Sequence, residues 1–283
     1  MIYSIIMTGI LLALLSATSW GAGDFLGGLA ARKIRPFQVL FLTTCSSLTF
    51  MLVLAILWGE TYPGASDILI ALLAGVSGAL GLTALYKGLS LGNAALVSSV
   101  AGVVGAVIPT LVGVFIEGLP SVLHLIGYTL ALAGIWLVTQ SDENDGQKLK
   151  QSFGLALLAG FGFGGFLAII AQMQDDQVFA PLVIAKIASL TVALILLRSR
   201  SLPIPKLNAA PIAIWSGFLD AGGNFLYLFA TQFTRLDIAA VLSSLYPAGT
   251  VLLSGVFLKE RLSKAQWLGV LVCLCAIGLV TWG

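Results

Sequence analysis

A chain of 283 residues that is 59% hydrophobic and only 9% charged is not built for water as its main solvent, since a soluble domain carries roughly a quarter charged residues. A mean hydropathy of +1.05 points the same way, and a formal net charge of +2 is too small to draw the chain to nucleic acid. Length therefore says nothing about soluble domains here, and the sequence is read as apolar spans and their connections.

The first span covers residues 5–31. It lacks the basic leader of a signal peptide and its apolar run is too long for one, so it reads as a transmembrane helix. Further spans are expected at 37–58, 68–86, 94–116, 123–139, 153–173, 180–197, 211–233, 238–258 and 265–282. Each is near the ~20 residues that a helix needs to cross hydrocarbon. The connections are short and polar, with turn residues such as Tyr62-Pro63-Gly64 and Leu202-Pro203. The hydrophilic linker, 141–151, falls at the middle of the chain. The expected fold is an all-α membrane protein of ten transmembrane helices, arranged as two five-helix repeats over 1–140 and 152–283.

The two halves can be laid over each other. Leu12-Ala13-Leu14-Leu15 matches Leu155-Ala156-Leu157-Leu158, and Trp20-Gly21 falls against Phe163-Gly164. Ala94-Ala95 and Ser98-Ser99 match Ala239-Ala240 and Ser243-Ser244, while Leu137-Val138-Thr139 matches Leu279-Val280-Thr281. Because five is odd, the second copy must enter from the opposite face. That is an inverted repeat, an architecture common in secondary transporters, with substrate held near the midplane. All Lys and Arg except Lys186 and Arg235 fall in alternate connections: 32–35, Lys87, 148–150, 198–206 and 259–264. Arg235 stands on the other face with Glu60, Asp67, Glu117, Asp175, Asp176 and Asp237. Basic loops stay cytoplasmic, which places both termini outside.

The stretch 239–263 organises the chain. Near its middle stand Ser243, Ser244, Tyr246 and Pro247, and it ends in the charged turn Lys259-Glu260-Arg261. Proline has no N–H to give the carbonyl four residues back, so Pro247 leaves the Ser243 carbonyl unpaired, and Pro109 does the same to Gly105. In hydrocarbon such breaks survive beside protein or a wet cavity, so Pro109 and Pro247 are read as gating points. Asp220 lies mid-span, with Asn224 one turn later and Tyr227 nearly two, all close to one helical face. Lys186 and Asp24 also sit inside spans, and Asp24 follows Trp20 by one turn. A charge at such depth faces a partner or a cavity. Lys186 and Asp220 are thus either a pair that holds helices together or part of a substrate or proton pathway. Asp24, Lys186 and Asp220 are the candidate coupling or charge-pair residues. Trp20, Asp220, Asn224, Tyr227, Ser243, Ser244 and Tyr246 are the candidate substrate-binding residues. Gln172 and Lys87 lie nearer span ends, within reach of the interface.

Other patterns carry less. Gly160-x-Gly162-x-x-Gly165 fits a dinucleotide fingerprint, but no strand precedes it; glycines so placed, like Gly23 and Gly27, let helices approach. His124 is the single histidine, and a surface or packing role is expected for it. Cys45, Cys273 and Cys275 lie in apolar segments without metal-ligand spacing. With no nucleophile–base motif, catalysis, a metal and a cofactor are not expected.

Trp20-Gly21-Ala22-Gly23-Asp24-Phe25-Leu26-Gly27-Gly28 resembles the first-helix pattern of EamA-type members of the drug/metabolite transporter superfamily. Ser243-Ser244-Leu245-Tyr246-Pro247, with Lys259-Glu260-Arg261-Leu262-Ser263 and Gln266-Trp267-Leu268-Gly269, is similar to that family's penultimate helix and turn. The resemblance covers nearly the whole chain and implies a plasma- or inner-membrane carrier for small metabolites, frequently an exporter of amino acids or related compounds. Many such relatives keep basic residues between the second and third helices and their termini inside. Here that connection is Gly59-Glu60-Thr61-Tyr62-Pro63, so loop charge and resemblance point to opposite orientations. Gly102 stands where the second repeat has Pro247. The expected partners are a lipid bilayer and a small-molecule metabolite, with protons added if Asp220 belongs to a proton pathway; coupling is open between an ion gradient, exchange and facilitated flow. The alternatives are an uptake carrier for a sugar or similar nutrient and, in a different class, a membrane receptor or assembly subunit without transport.

Overall fold

The computed structural model describes residues 2–60, 63–91, 94–138, 146–173, 177–257 and 263–282, and these form helices without strands. In chain order they are α1 (Ile2–Ala31), α2 (Pro36–Trp58), α3 (Ala65–Ser90), α4 (Ala94–Glu117), α5 (Val122–Val138), α6 (Gly146–Ile170), α7 (Phe179–Ser199), α8 (Pro211–Phe233), α9 (Leu236–Ser243), α10 (Tyr246–Phe257) and α11 (Lys264–Trp282). Tyr62, Asp175, Asp176, linker residues 141–145 and the Lys259-Glu260-Arg261 turn lie outside the described residues.

Local chemistry sets the helix ends. Pro36 and Pro211 open α2 and α8 at the first position, where a missing N–H costs nothing. Gly59, at φ 71°, closes α2 in the left-handed conformation that glycine adopts without a steric penalty. α6 begins inside the expected linker, because Gln147-Lys148-Leu149-Lys150-Gln151 is a run of good helix formers with no breaker.

The two prolines behave differently. α4 runs unbroken through Pro109, so the break expected there does not form. Its freed Gly105 carbonyl lies against α6, where a Cβ on Gly164 would stand 3.1 Å from the oxygen. The ninth span does break, into α9 and α10. Pro247 is the second residue of α10, and the chain passes the break through a tight turn in which the Leu245 N–H donates to the Leu242 carbonyl at 3.2 Å. Gly102 faces this point: a Cβ there would lie 2.9 Å from Pro247 Cγ. The two positions that correspond between halves therefore meet each other.

Side-chain contacts fix the helix directions. Along α1 and α8, Ser16 Oγ donates to the Gly223 carbonyl at 2.8 Å, Ser19 Oγ to Leu219 at 2.7 Å, and Ser216 Oγ to Gly23 at 2.7 Å. The numbers rise on one helix as they fall on the other, so the two are antiparallel. α3 and α6 are likewise antiparallel, with Gly81 beside Gly162 and Ser77 beside Gly165. α1 runs parallel to α9 and α10, through Ser243 Oγ to Ala13 O and Thr250 Oγ1 to Gly21 O. α6 runs parallel to α4, where Gly160 meets Val104 and Gly164 meets Ile108. Exchanging α1 for α6, α2 for α7, α3 for α8 and α4 for α9–α10 maps these pairings onto one another, while α5 packs on α11. The start of α9 lies at the end of α4, so α9 opposes α4, and α6 therefore runs opposite to α1.

Among the described residues, six helical segments, 6–31, 36–58, 65–90, 100–117, 150–170 and 179–199, are long and apolar enough to cross a membrane. α5 is short at 17 residues, and α8 carries Asp220 and Asn224 on one side. The exterior presents Leu57, Phe115, Ile195, Trp215 and Leu271, a surface that hydrocarbon covers without cost.

Candidate substrate cavity

Close backbone approach builds the site. Gly75 of α3 lies directly against the Ala185 carbonyl of α7, and Ser189 Oγ clamps the crossing by donating to the Gly75 carbonyl at 2.8 Å. This seats Lys186, whose side chain is 7% exposed, facing α8. On α8, Gly217 sits against the Thr43 carbonyl and Ser46 of α2. Asp220, one turn on, then receives Ser47 Oγ at 3.0 Å and Lys186 Nζ at 2.5 Å. The Lys186–Asp220 pair thus joins α7 and α8, with Ser47 adding α2.

Next to this pair lies a cavity of about 660 Å³, counting the space at its mouth. Trp20 and Asp24 of α1, Asp220 and Asn224 of α8, Lys186 of α7, and Ser244 and Tyr246 at the α9–α10 break line it. Trp20 is held over Gly223, whose missing side chain leaves room for the indole. Its ring stands 5.9 Å from Tyr227 and 6.5 Å, edge-on, from Tyr246. Asn224 is 3% exposed and Tyr246 7% exposed. Among the described residues, the Asn224 amide nitrogen and the Tyr246 hydroxyl have no hydrogen-bond partner. Buried polar groups are rarely left so.

Two candidate binding residues lie behind the wall rather than on it. Tyr227 is fully buried and donates from its hydroxyl to the Leu167 carbonyl at 3.2 Å. Ser243, also fully buried, donates to the Ala13 carbonyl at 3.2 Å. Both spacings are right for the helix face, but these side chains spend their polar atoms on helix packing. Pro109 does not line the cavity, whereas Gly105, four residues earlier, does.

The sequence reading missed the opposite wall, where Phe163 and Phe166 of α6 and Gly78 and Leu82 of α3 complete the cavity. A signal for Phe163 was present, because it is the repeat counterpart of Trp20. The Gly160, Gly162 and Gly165 set serves close packing on α4 and α3. His124 stacks on Tyr128 at 6.0 Å and bonds with Ser121. Cys45 and Cys275 are free thiols.

The two halves are also clasped where α2 and α4 end. The Glu60 carboxylate accepts the N–H groups of Val178, Phe179 and Ala180 at 2.7–3.1 Å, capping α7. Glu117 accepts the Leu236 N–H at 3.0 Å, capping α9. Arg235 binds the fully buried Asp237 at 2.9 Å and the Gly118 carbonyl at 2.7 Å, with Glu117 at 3.5 Å. Its hydrogen bond to Asp237 pushes the guanidinium pKa above its ordinary value. At the other face of the bundle, Gln38 of α2 donates to the Pro203 carbonyl at 3.0 Å.

The EamA-like transporter family matches the chain twice, over residues 7–140 and again over 150–282. The chain belongs to that family. It is a multi-pass membrane protein of two-repeat architecture, and its kin transport small molecules. An uncharacterised protein of Methanocaldococcus jannaschii is 30% identical over 128 residues, which are 45% of this chain and 93% of that protein. That relative is thus about as long as one repeat. An uncharacterised solute carrier family 35 member of Schizosaccharomyces pombe is 36% identical over 63 residues, 22% of this chain and 12% of that one. A solved crystal structure superposes with a TM-score of 0.74 at 15% identity, over 97% of this chain and 96% of the other, which shows the fold alone.

Proposed function

We propose that this protein is a secondary carrier that exports or exchanges a small polar or amphipathic metabolite, an amino acid or related compound, by alternating access. The observation that carries the reading is a cavity lined from both repeats, in which two buried polar groups, on Asn224 and Tyr246, await partners. Ten spans cross the cell membrane as two inverted five-helix repeats, residues 1–140 and 152–283. The opposed directions of α1 and α6 support this. The broken ninth span supplies the bend at Pro247 about which one half rocks against the other. The clasps of Glu60, Glu117 and Arg235 hold the cavity shut toward the face they occupy. The distribution of Lys and Arg supports placing that face outside, with both termini on it.

Saturable counterflow of labelled amino acid pools into liposomes containing only this protein tests the reading. Concentration-limited uptake that unlabelled substrate accelerates from the far side is the expected result. A ligand that binds without crossing would instead identify a receptor or assembly subunit. Growth on a nutrient, rather than resistance to a toxic analogue, would favour an uptake carrier for a sugar.

A further inference from the structure

Two carboxyl side chains and one amine line the cavity, and they do not balance. Lys186 and Asp220 neutralise each other at 2.5 Å, and Ser47 occupies the same carboxylate oxygen. Asp24 remains, with no hydrogen bond or ion pair to any described residue. With all three ionised the cavity carries one net negative charge. A carboxylate in a largely apolar chamber is costly until a cation or proton joins it. Trp20, one turn before Asp24 on the same helix face, stands edge-on to Tyr246, so aromatic surface flanks the carboxylate's side of the cavity. Aromatic faces attract ammonium groups, more strongly where water is scarce.

We propose that the cavity selects organic monocations, with the Asp24 carboxylate as the ammonium site and Trp20 and Tyr246 as its aromatic walls. This rests on the carrier reading and narrows its substrate class from zwitterionic amino acids to related amines. An ammonium ion brings the cavity to neutrality. A zwitterion would leave it one charge short, because its carboxylate could reach Lys186 only by displacing Asp220. An anion adds a second uncompensated charge. The unpaired Asn224 amide donates to an acceptor oxygen elsewhere on the ligand, which favours amines that also bear a hydroxyl, ether or carbonyl group.

The test is a charge series on one frame. 2-Phenylethylammonium, phenylalanine and 3-phenylpropionate carry +1, 0 and −1 on closely similar phenylalkyl skeletons. Calorimetric titration of each into the full-length protein in phosphatidylcholine nanodiscs at neutral pH should show the cation binding about tenfold tighter or more than the other two. Asp24→Asn should remove about that factor from the cation alone. Equal or tighter binding of the zwitterion or anion, absence of cation binding, or undiminished cation affinity in Asp24→Asn would each overturn the proposal. Should that variant fail to fold, the series on the unmodified protein decides alone. Selective cation binding without flux in liposomes would sink the carrier reading and leave this one standing. Zwitterion flux with no preference for the cation would do the reverse.

Discussion

Replacing Asp220 with Asn isolates the charge of the α7–α8 pair, because the amide oxygen still accepts from Ser47. What it removes is the compensation of Lys186, whose side chain is 7% exposed and whose partner's is 16% exposed. Breaking a buried pair from one side costs about 3–5 kcal/mol, since the remaining charge is stranded. A charge at the centre of a membrane span costs about 2.5–3.5 kcal/mol by insertion scales. The cavity beside the pair lets water soften the loss, so the lower end, about 3 kcal/mol, is expected. That is more than a hundredfold in the folding equilibrium at ~1.4 kcal/mol per decade. Lys186→Met alone should cost a similar amount, and the double variant should recover most of it. Reversible unfolding in mixed micelles, taken round the four-member cycle, measures the coupling. Additive single effects with no coupling would refute the claim that the pair is buried and mutually dependent. Transport then separates roles: if Asp220 also carries protons, the folded Asp220→Asn variant loses gradient-driven transport and keeps exchange.

Further expectations follow from the clasps, the break and the loops. Arg235→Gln loosens the closure over Glu117 and Asp237, so a cavity cysteine should react faster from that face; an unchanged rate would remove the clasp from gating. Pro247→Ala should slow turnover severalfold while insertion and folding persist, and unchanged flux would remove the proline from the cycle. A cysteine placed at Gln147, with the native cysteines replaced, should resist an impermeant reagent added to intact cells, and labelling from outside would reverse the assigned orientation. Gly223→Leu should displace Trp20 and weaken ligand binding by about tenfold or more, read by titration; undiminished affinity would take Trp20 off the binding surface.

Much of the architecture could be read from residues alone, because a bilayer leaves few solutions to an apolar chain. Lengths of apolar runs located the helices, and the twice-written Ser-Ser pattern revealed the repeat. The site was half legible. Trp20, Asp24, Lys186, Asp220, Asn224, Ser244 and Tyr246 stand out as polar or amphipathic groups in apolar surroundings, and all reach the cavity. Tyr227 and Ser243 look the same in sequence, yet whether a hydroxyl faces a cavity or a neighbouring carbonyl depends on the crossing helix. Phe163 and Phe166 are invisible among the other apolar residues of α6 unless the repeat is used to place them. Pro109 shows the remaining limit: a proline removes one hydrogen bond, but whether the helix breaks depends on what lies against the freed carbonyl. For Gly105 that is α6.

The claim that one cavity serves both faces in turn is tested most directly at Gly105. It lines the cavity, and a Cβ there has its nearest neighbour at 3.6 Å, so cysteine fits. In a background without the native cysteines, Gly105→Cys would be reconstituted into liposomes and exposed to an impermeant thiol reagent from each side separately. Modification from both sides, slowed by a transported ligand, is the result expected of an alternating carrier. Modification from one side only, whatever the ligand, would contradict it.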